Sequence, residues 1–205
     1  FINTESSGGM GEAIFNNAKM TLENTTINNS KANLNNIQIG KNTFIQITHG
    51  GAIYNNQTLT LDNSIITQST AAYGGAIANN GQIIINNTIL DKNYANNEGY
   101  TGMNYGETIF NDENGNCIIH NSNIKNTIAK RTSIGGGGSY GTYGGIIYNL
   151  GDLTISKTIF DNMSGKYEDF SSVVGGSFTI FNYGKMNVTN NYFINSPHKE
   201  HRWSS

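Results

Sequence analysis

Apolar residues recur along the chain in short groups that alternate with polar residues, and the groups come in sets of three. The first group of each set is an Ile-x-Asn triplet, the second is typified by Leu59-Thr60-Leu61, and the third follows after a short Asn-rich turn. Period-two alternation bounded by Asn and Gly predicts short strands joined by tight turns. Six sets occur, and their first groups begin at Ile14, Ile53, Ile77, Ile109, Ile147 and Ile180.

The two most similar sets, which start at Gly50 and Gly74, lie 24 residues apart. Three strands and three turns in that length are typical of one coil of a parallel β-helix. Leucine-rich, ankyrin and TPR repeats need a helix in each unit, and Asn and Gly are poor helix formers. The sequence therefore predicts an all-β solenoid of about six coils over residues 1–195, followed by an irregular tail or cap over 196–205.

Period two also assigns the faces of the strands. In the first strand of each coil the Ile points inward, so the Asn two residues later shares the inner face. Amide side chains stacked from coil to coil can hydrogen-bond to one another. We therefore expect an inner ladder formed by Asn16, Asn55, Asn79, Asn111, Asn149 and Asn182. A second inner column is expected before the third strand, at Asn24, Asn63, Asn87, Asn121 and Asn190.

Composition supports an ordered but charge-poor chain. Charged residues make up 13% of the sequence and the net charge is −2, so no basic nucleic-acid footprint exists. Much of the polarity comes from 34 asparagines. The single cysteine, Cys117, excludes an intrachain disulfide framework. No apolar run is long enough for a membrane span. Because the chain begins at Phe1, we expect it to be a piece of a longer or processed polypeptide.

Gly-Gly-Ala-Ile occurs at Gly50–Ile53 and Gly74–Ile77, with a near match at Gly144–Ile147. With this motif the repeat resembles the adhesin-like, β-helical surface proteins of methanogenic archaea, and its motifs are related to those of chlamydial polymorphic outer-membrane proteins. The Asn-rich composition is closer to the archaeal proteins. The resemblance covers about residues 8–195 and implies a right-handed, pectate-lyase-like parallel β-helix, an extracellular or cell-surface location and a role in attachment. It transfers no catalytic residue.

Some parallel β-helices are polysaccharide lyases and hydrolases, so an enzyme is the alternative function. The position that ends the second strand holds Glu23, Asp62 and His120 in three of the coils. Glycoside hydrolysis needs two carboxylates that face one bond, and Glu23 and Asp62 are placed on adjacent coils. We interpret the column as solvated surface polarity, and we predict neither catalysis, nor a cofactor, nor a metal site.

Two features are candidates for binding. The residue between Ile and Asn should face outward, which predicts an exposed aromatic column for stacking on sugar rings or for contact with a partner. Its aromatic members are Phe15, Tyr54, Phe110, Tyr148 and Phe181, with Ala78 between them. The alternative is that the insertions cover this column or that its rings only stack on one another.

The other feature is a set of insertions between the third strand and the next glycine corner, at Asn28–His49, Asp91–Tyr105, Lys125–Tyr143 and Asp161–Gly176. Insertions on one face of a solenoid often form its binding face, and the alternative is that they only decorate the surface. They are rich in tyrosine, including Tyr100, Tyr105, Tyr140 and Tyr143.

We therefore expect a non-catalytic segment of a cell-surface adhesin. Its partners would be a receptor or glycan on a host or neighbouring cell, with self-association along or beside the solenoid as a further option. It should bind no nucleic acid and contain no membrane span. The alternatives are a carbohydrate-active β-helix enzyme and a structural stalk or filament subunit.

Overall fold

The computed structural model describes residues 2–7, 9–33, 35–39, 42–96, 104–130, 145–166 and 179–195. These residues form a parallel β-helix with six stacked coils. Each coil contributes one strand to each of three six-stranded parallel sheets, so the predicted fold and coil number are confirmed. The regular elements of every described coil are β-strands. No helix that could span a membrane occurs in the described part of the chain.

The first sheet carries the Ile-x-Asn triplets in strict register. Its strands are Ile14–Asn16, Ile53–Asn55, Ile77–Asn79, Ile109–Asn111, Ile147–Asn149 and Ile180–Asn182. The second sheet has five-residue strands, which are Lys19–Glu23, Thr58–Asp62, Gln82–Asn86, Asn116–His120, Asp152–Ser156 and Lys185–Thr189. The third sheet consists of Thr26–Asn28, Ile65–Thr67, Ile89–Asp91, Asn123–Lys125, Ile159–Asp161 and Tyr192–Ile194.

A fourth strand per coil was not expected, so the prediction of three strands was incomplete. The fourth sheet contains Glu5–Ser7, Lys31–Asn33, Thr70–Ala71 and Tyr94–Ala95, and a parallel pair, Ile128–Lys130 and Ser164–Lys166, occupies the same place in later coils. These strands have two or three residues, and their buried side chains include Ala32, Ala71 and Ala95. Such short strands with small inward residues produce no apolar triplet for a pattern to detect.

The core consists of side-chain stacks that run along the solenoid. In the second sheet, for example, Leu59, Ile83 and Cys117 stack in register and are fully buried. Burial of this kind stabilises the folded state by about 25 cal/mol for each Å² of apolar surface removed from water. Burial also raises the pKa of the Cys117 thiol to about 12, so this cysteine is a core residue. The period-two assignment of inner and outer faces is confirmed.

The inner asparagine ladder is also confirmed. The side-chain nitrogen of each ladder Asn donates to the side-chain oxygen of the Asn in the next coil, at 2.6–2.7 Å throughout. Asn55, Asn79, Asn111 and Asn149 are at most 1% exposed. The same nitrogens also donate to backbone carbonyls at the neighbouring bend, as Asn55 does to Gln57 and Gln82. The ladder therefore satisfies buried backbone groups as well as its own amides.

The second asparagine column lies outside, so the prediction of a second inner column was wrong. Asn24, Asn63 and Asn87 have φ values of about 50° and are exposed. Asn tolerates this left-handed conformation better than most residues, and the bend turns its side chain outward. The inward place is taken by the next residue, which is a hydroxyl residue in the central coils. These buried residues are Ser64, Thr88, Ser122 and Thr158.

The last described coil lies at the end of the stack, and no further described coil covers its inward-pointing side chains. Met186 is 45% exposed and Phe193 is 50% exposed, although Phe193 still stacks on Phe160 with ring centroids 4.8 Å apart. Both predicted binding features lie at the corner where the fourth sheet leads into the first.

Candidate binding surface

The outward column of the first sheet is a stack of parallel rings. Phe110 and Tyr148 lie 5.8 Å apart at 17°, and Tyr148 and Phe181 lie 5.0 Å apart at 10°. Phe15 and Tyr54 form a similar pair at 5.4 Å. Because the rings face one another along the solenoid, most of their faces are already in contact with neighbouring rings. Their edges, not their faces, point away from the sheet.

A second row of side chains covers part of this column. The residues that precede the glycine corners, Met10, His49, Tyr73 and Tyr105, are joined from coil to coil by single β-bridges. Tyr73 packs against His49 and Tyr105 with ring centroids at 4.8 Å in both contacts, and both contacts are edge-to-face. Tyr105 meets Tyr148 in the same manner at 4.8 Å. We call these two rows together the aromatic cluster.

Ala78 is the only non-aromatic member of the first row, and the structure explains its size. The His49 ring lies 6.2 Å from both Tyr54 and Phe110, the rings that flank Ala78 in the column. Tyr73 also approaches Phe110 at 5.2 Å. Ala78 is 1% exposed. The small methyl group therefore leaves the room in which His49 and Tyr73 cross over the column.

These contacts correct the prediction of an exposed aromatic column. Phe110 is 6% exposed and Tyr148 is 7% exposed, whereas Phe15, in the first coil, is 53% exposed. Tyr54 and Phe181 are half-buried. The outward direction was assigned correctly, but residues from the adjacent corner pack over the column. The central members of the column therefore offer no open ring faces on which a sugar could stack.

Burial and the nearby charge of Asp112 shift pKa values within the aromatic cluster. Burial lowers the pKa of His49, while the charge of Asp112 and the backbone of Ile47 oppose that shift. Burial raises the pKa of Tyr54, and Asp112 raises it further. Burial and the neighbouring Tyr105 raise the pKa of Tyr73. At neutral pH the cluster therefore presents the neutral imidazole of His49 and the neutral phenols of Tyr54 and Tyr73 near Asp112.

The insertions all leave the solenoid at one corner, between the fourth sheet and the first. Ladder residues in successive coils are separated by 39, 24, 32, 38 and 33 residues. The 24-residue coil passes from Ala71 to Tyr73 with one residue between them. In the first insertion, Asn35–Ile39 and Asn42–Gln46 pair as an antiparallel hairpin. The insertions begin after the fourth strand, later than the sequence pattern suggested.

Four tyrosines were predicted in these insertions. Tyr105 lies at the corner itself, half-buried in the aromatic cluster. Tyr100, Tyr140 and Tyr143 lie outside the described residues. The aromatic cluster and the points where the insertions leave the solenoid thus share one edge of the molecule, which we call the insertion edge.

The candidate catalytic column lies elsewhere, at the end of the second sheet. Glu23 pairs in register with Asp62, and His120 lies two coils beyond Asp62. Asp62 Oδ1 accepts a 2.9 Å hydrogen bond from Asn87, and His120 Nδ1 lies 2.9 Å from Ser156 Oγ. The predicted alignment is confirmed. Coils are spaced by about 4.8 Å, so His120 is roughly 10 Å from Asp62.

Among the residues that the structure describes, no group of three or more His, Cys, Asp or Glu side chains is arranged to hold a metal ion. The second row of the aromatic cluster was not predicted from the sequence. His49 and Tyr73 precede Gly50 and Gly74 directly. The aromatic or Met residue before each corner glycine was a usable signal, because it repeats in the same place as Met10, His49, Tyr73, Tyr105 and Tyr143.

Comparisons with known proteins add no relative. No family model, no curated protein and no solved structure matches this chain.

Proposed function

We propose that the chain is a non-catalytic, adhesin-like recognition module of a cell surface, similar to the β-helical surface proteins of methanogenic archaea. In this proposal the solenoid is a stiff support and the insertions bind a glycan or receptor on another cell or surface. The observation that carries the proposal is the gathering of all insertions at one edge, beside the aromatic cluster. We also expect the right-handed, pectate-lyase-like winding, since parallel strand crossovers are almost always right-handed.

The contrast between the corners supports this assignment of roles. The other bends are short and are tied from coil to coil by asparagine side chains, as at Asn63 and Asn24. The insertion edge carries nearly all of the variation in length, since the other clear difference is the bend Asp112–Gly115, and the strands on both sides keep their register. Variable loops on a rigid scaffold are the usual arrangement for binding. The packed rings of the aromatic cluster would fix the bases of the insertions and expose ring edges and phenol groups around them.

Deleting one insertion tests the proposal without damaging the solenoid. Thr70 pairs with Lys31, and Tyr73 pairs with His49. Removing residues 33–47 therefore leaves Lys31-Ala32-Thr48-His49-Gly50, which matches the natural tight corner Thr70-Ala71-Ala72-Tyr73-Gly74. Thr48 already contacts this corner, because its hydroxyl donates to Ala32 O at 3.0 Å. The shortened coil has a template within the chain.

Binding is measured on an array of neutral and acidic glycans and to intact cells, for the wild type, the deletion and a Thr154→Ala control on the outer face of the second sheet. Loss of binding in the deletion alone is the expected result. Equal binding by all three proteins contradicts recognition at this insertion. A reducing-end assay on bound polysaccharides addresses the enzyme alternative, and release of product that is lost in Asp62→Asn supports that alternative instead.

A further inference from the structure

One bend between the first and second sheets is longer than its neighbours. In the third coil, Asn80 and Gly81 connect Asn79 to Gln82. In the fourth coil, the residues Asp112–Gly115 connect the equivalent Asn111 and Asn116. The added residues place Asn114, which is exposed, directly before a glycine. Asn80 also precedes a glycine, so the chain contains two Asn-Gly pairs at corresponding bends.

The two asparagines differ in how their side chains are held. They belong to an outer ladder in which each nitrogen donates toward the preceding coil. Asn80 is bonded on both sides, since its nitrogen donates to Asn56 Oδ1 at 2.9 Å and its oxygen accepts from Asn114 at 3.2 Å. Asn114 makes one ladder contact, its donation to Asn80 Oδ1. At 3.2 Å this contact is the longest of the outer ladder, whose other two contacts are 2.9 Å. Asn80 is also half-buried, whereas Asn114 is exposed.

We propose that Asn114 is a site of spontaneous deamidation and isomerisation. The Gly115 backbone nitrogen attacks the side-chain carbon Cγ of Asn114. The bond from Cγ to the amide nitrogen breaks, ammonia leaves, and the new bond closes a cyclic succinimide. Solvent water then opens the ring at either carbonyl and leaves aspartate or isoaspartate. Glycine favours the step because it has no side chain to block the attacking nitrogen and adopts the required conformations at low cost.

The backbone around Asn114 must open for this reaction. Gly115 N–H donates to Asp112 O at 2.8 Å, and Glu113 N–H donates to Asp112 Oδ1 at 2.9 Å. Both contacts lie within the turn itself, whereas the buried Gly115 accepts at its carbonyl from Asn111 Nδ2 at 3.1 Å and from Asp152 N–H at 2.9 Å. Opening the two turn contacts leaves these bonds to the coil stack in place. At Asn80 the attack requires release of both ladder contacts and of a half-buried side chain, although the Gly81 N–H donates to no backbone carbonyl among the described residues. A single net hydrogen bond corresponds to about 1 kcal/mol.

The modification would change the molecule beyond its own turn. An aspartate at this position cannot donate to Asn80 Oδ1, and its charge repels that oxygen. Asn80 therefore loses one of its two ladder contacts and becomes the second site to react. The new charge also joins Asp112, the residue that already acts on His49 and Tyr54. The order of reaction, Asn114 before Asn80, is a property of the ladder and independent of the proposed adhesive function.

Peptide mapping by mass spectrometry tests this order. The folded chain is incubated in mildly alkaline buffer, and acid products at both Asn-Gly pairs are followed over time, with the urea-unfolded chain as reference. In the folded chain we expect Asn114 to react about three- to tenfold faster than Asn80, the factor that the one additional ladder contact of Asn80 gives. In the unfolded chain the two rates should be similar. Equal or faster reaction at Asn80 in the folded chain overturns the proposal, as does an Asn114 that stays intact while the unfolded chain reacts.

Two variants of Asn114 measure how much its ladder contact slows the reaction at Asn80. In Asn114→Asp, the rate at Asn80 should rise about three- to tenfold because one contact is lost. Asn114→Gln keeps an amide donor but cyclises slowly, and it should leave Asn80 near its wild-type rate. An unchanged rate at Asn80 in Asn114→Asp contradicts the protective role of the ladder. A rate that rises equally in both variants contradicts it as well.

Discussion

Asn55 and Asn56 are neighbours in one coil, and both belong to ladders of stacked asparagines. Asn55 is fully buried, and its nitrogen donates to Asn79 and to two backbone carbonyls. Asn56 is at the surface bend, where its nitrogen donates to Asn17 at 2.9 Å and water can replace the contact. The comparison shows that the repeated residue type has two roles. The buried ladder closes the hydrogen bonds of the core, whereas the outer ladder is a surface feature that the solenoid can vary.

The largest expected effect separates these two ladders. Asn55→Ala leaves Asn16 without its ladder acceptor, Asn79 without its donor and the bend carbonyls without a side-chain partner. A buried polar group left unpaired costs about 1–3 kcal/mol, so we expect a loss of about 3 kcal/mol in the free energy of unfolding. Asn56→Ala should cost less than about 1 kcal/mol. Urea unfolding measures both variants, and equal losses would break the distinction between buried and exposed ladders.

The second effect concerns the outer face of the first sheet, where Ala78 interrupts the aromatic column. Replacing it with tyrosine makes the column continuous from Tyr54 to Phe110. We nevertheless expect Ala78→Tyr to destabilise the chain by about 1–3 kcal/mol, because the space is occupied by His49 and overpacking is costly. The double variant Ala78→Tyr/His49→Ala should recover part of the loss. Thermal unfolding of the wild type and both variants is the measurement, and a stabilised single variant would show that the space is empty.

The third effect is a pH dependence that arises where the outer face is covered. The folded-state pKa of His49 is lowered by burial, against an ordinary value of 6.5. As the pH falls below about 6.5, the unfolded chain binds a proton that the folded chain resists, so stability decreases until the lowered pKa is passed. The contribution is complete above about pH 6.5. In His49→Phe this part of the pH dependence should disappear from urea midpoints, while an unchanged profile would assign it to other groups.

The smallest effect concerns the exposed bends. Lys157 occupies the position held elsewhere by Asn63, Asn87 and Asn121, and it has a φ of 51°. Asparagine adopts this conformation more readily than lysine, so Lys157→Asn should stabilise the chain by about 0.5–1 kcal/mol. Lys157→Ala is the matched control, because it removes the same side chain without the preference for positive φ. If both variants are equally stable, the bend does not select asparagine for its backbone.

Much of the scaffold was predictable because its signals are local and repeated. Ile77 and Asn79 alternate around Ala78, and that alternation alone places the core residue and the ladder residue on one face. The error at Asn24 and Asn63 had a local cause, since a positive φ at the bend reverses the direction that period two assigns. The fourth strand was not predicted for another local reason. Thr70-Ala71 is too short, and its side chains are too small, to be distinguished from a turn.

The sequence by itself determined the all-β repeat, the number of coils, the inner asparagine ladder and the edge that receives the insertions. Each of these follows from a spacing that every coil repeats, because stacked parallel strands place equivalent residues over one another. Only the tertiary structure decided which outward residues are accessible. Burial of Phe110 and Tyr148 depends on Tyr73 and Tyr105, which come from different corners and cross over the column. Contacts between neighbouring corners depend on how the chain folds back, and no periodicity within one strand can encode them.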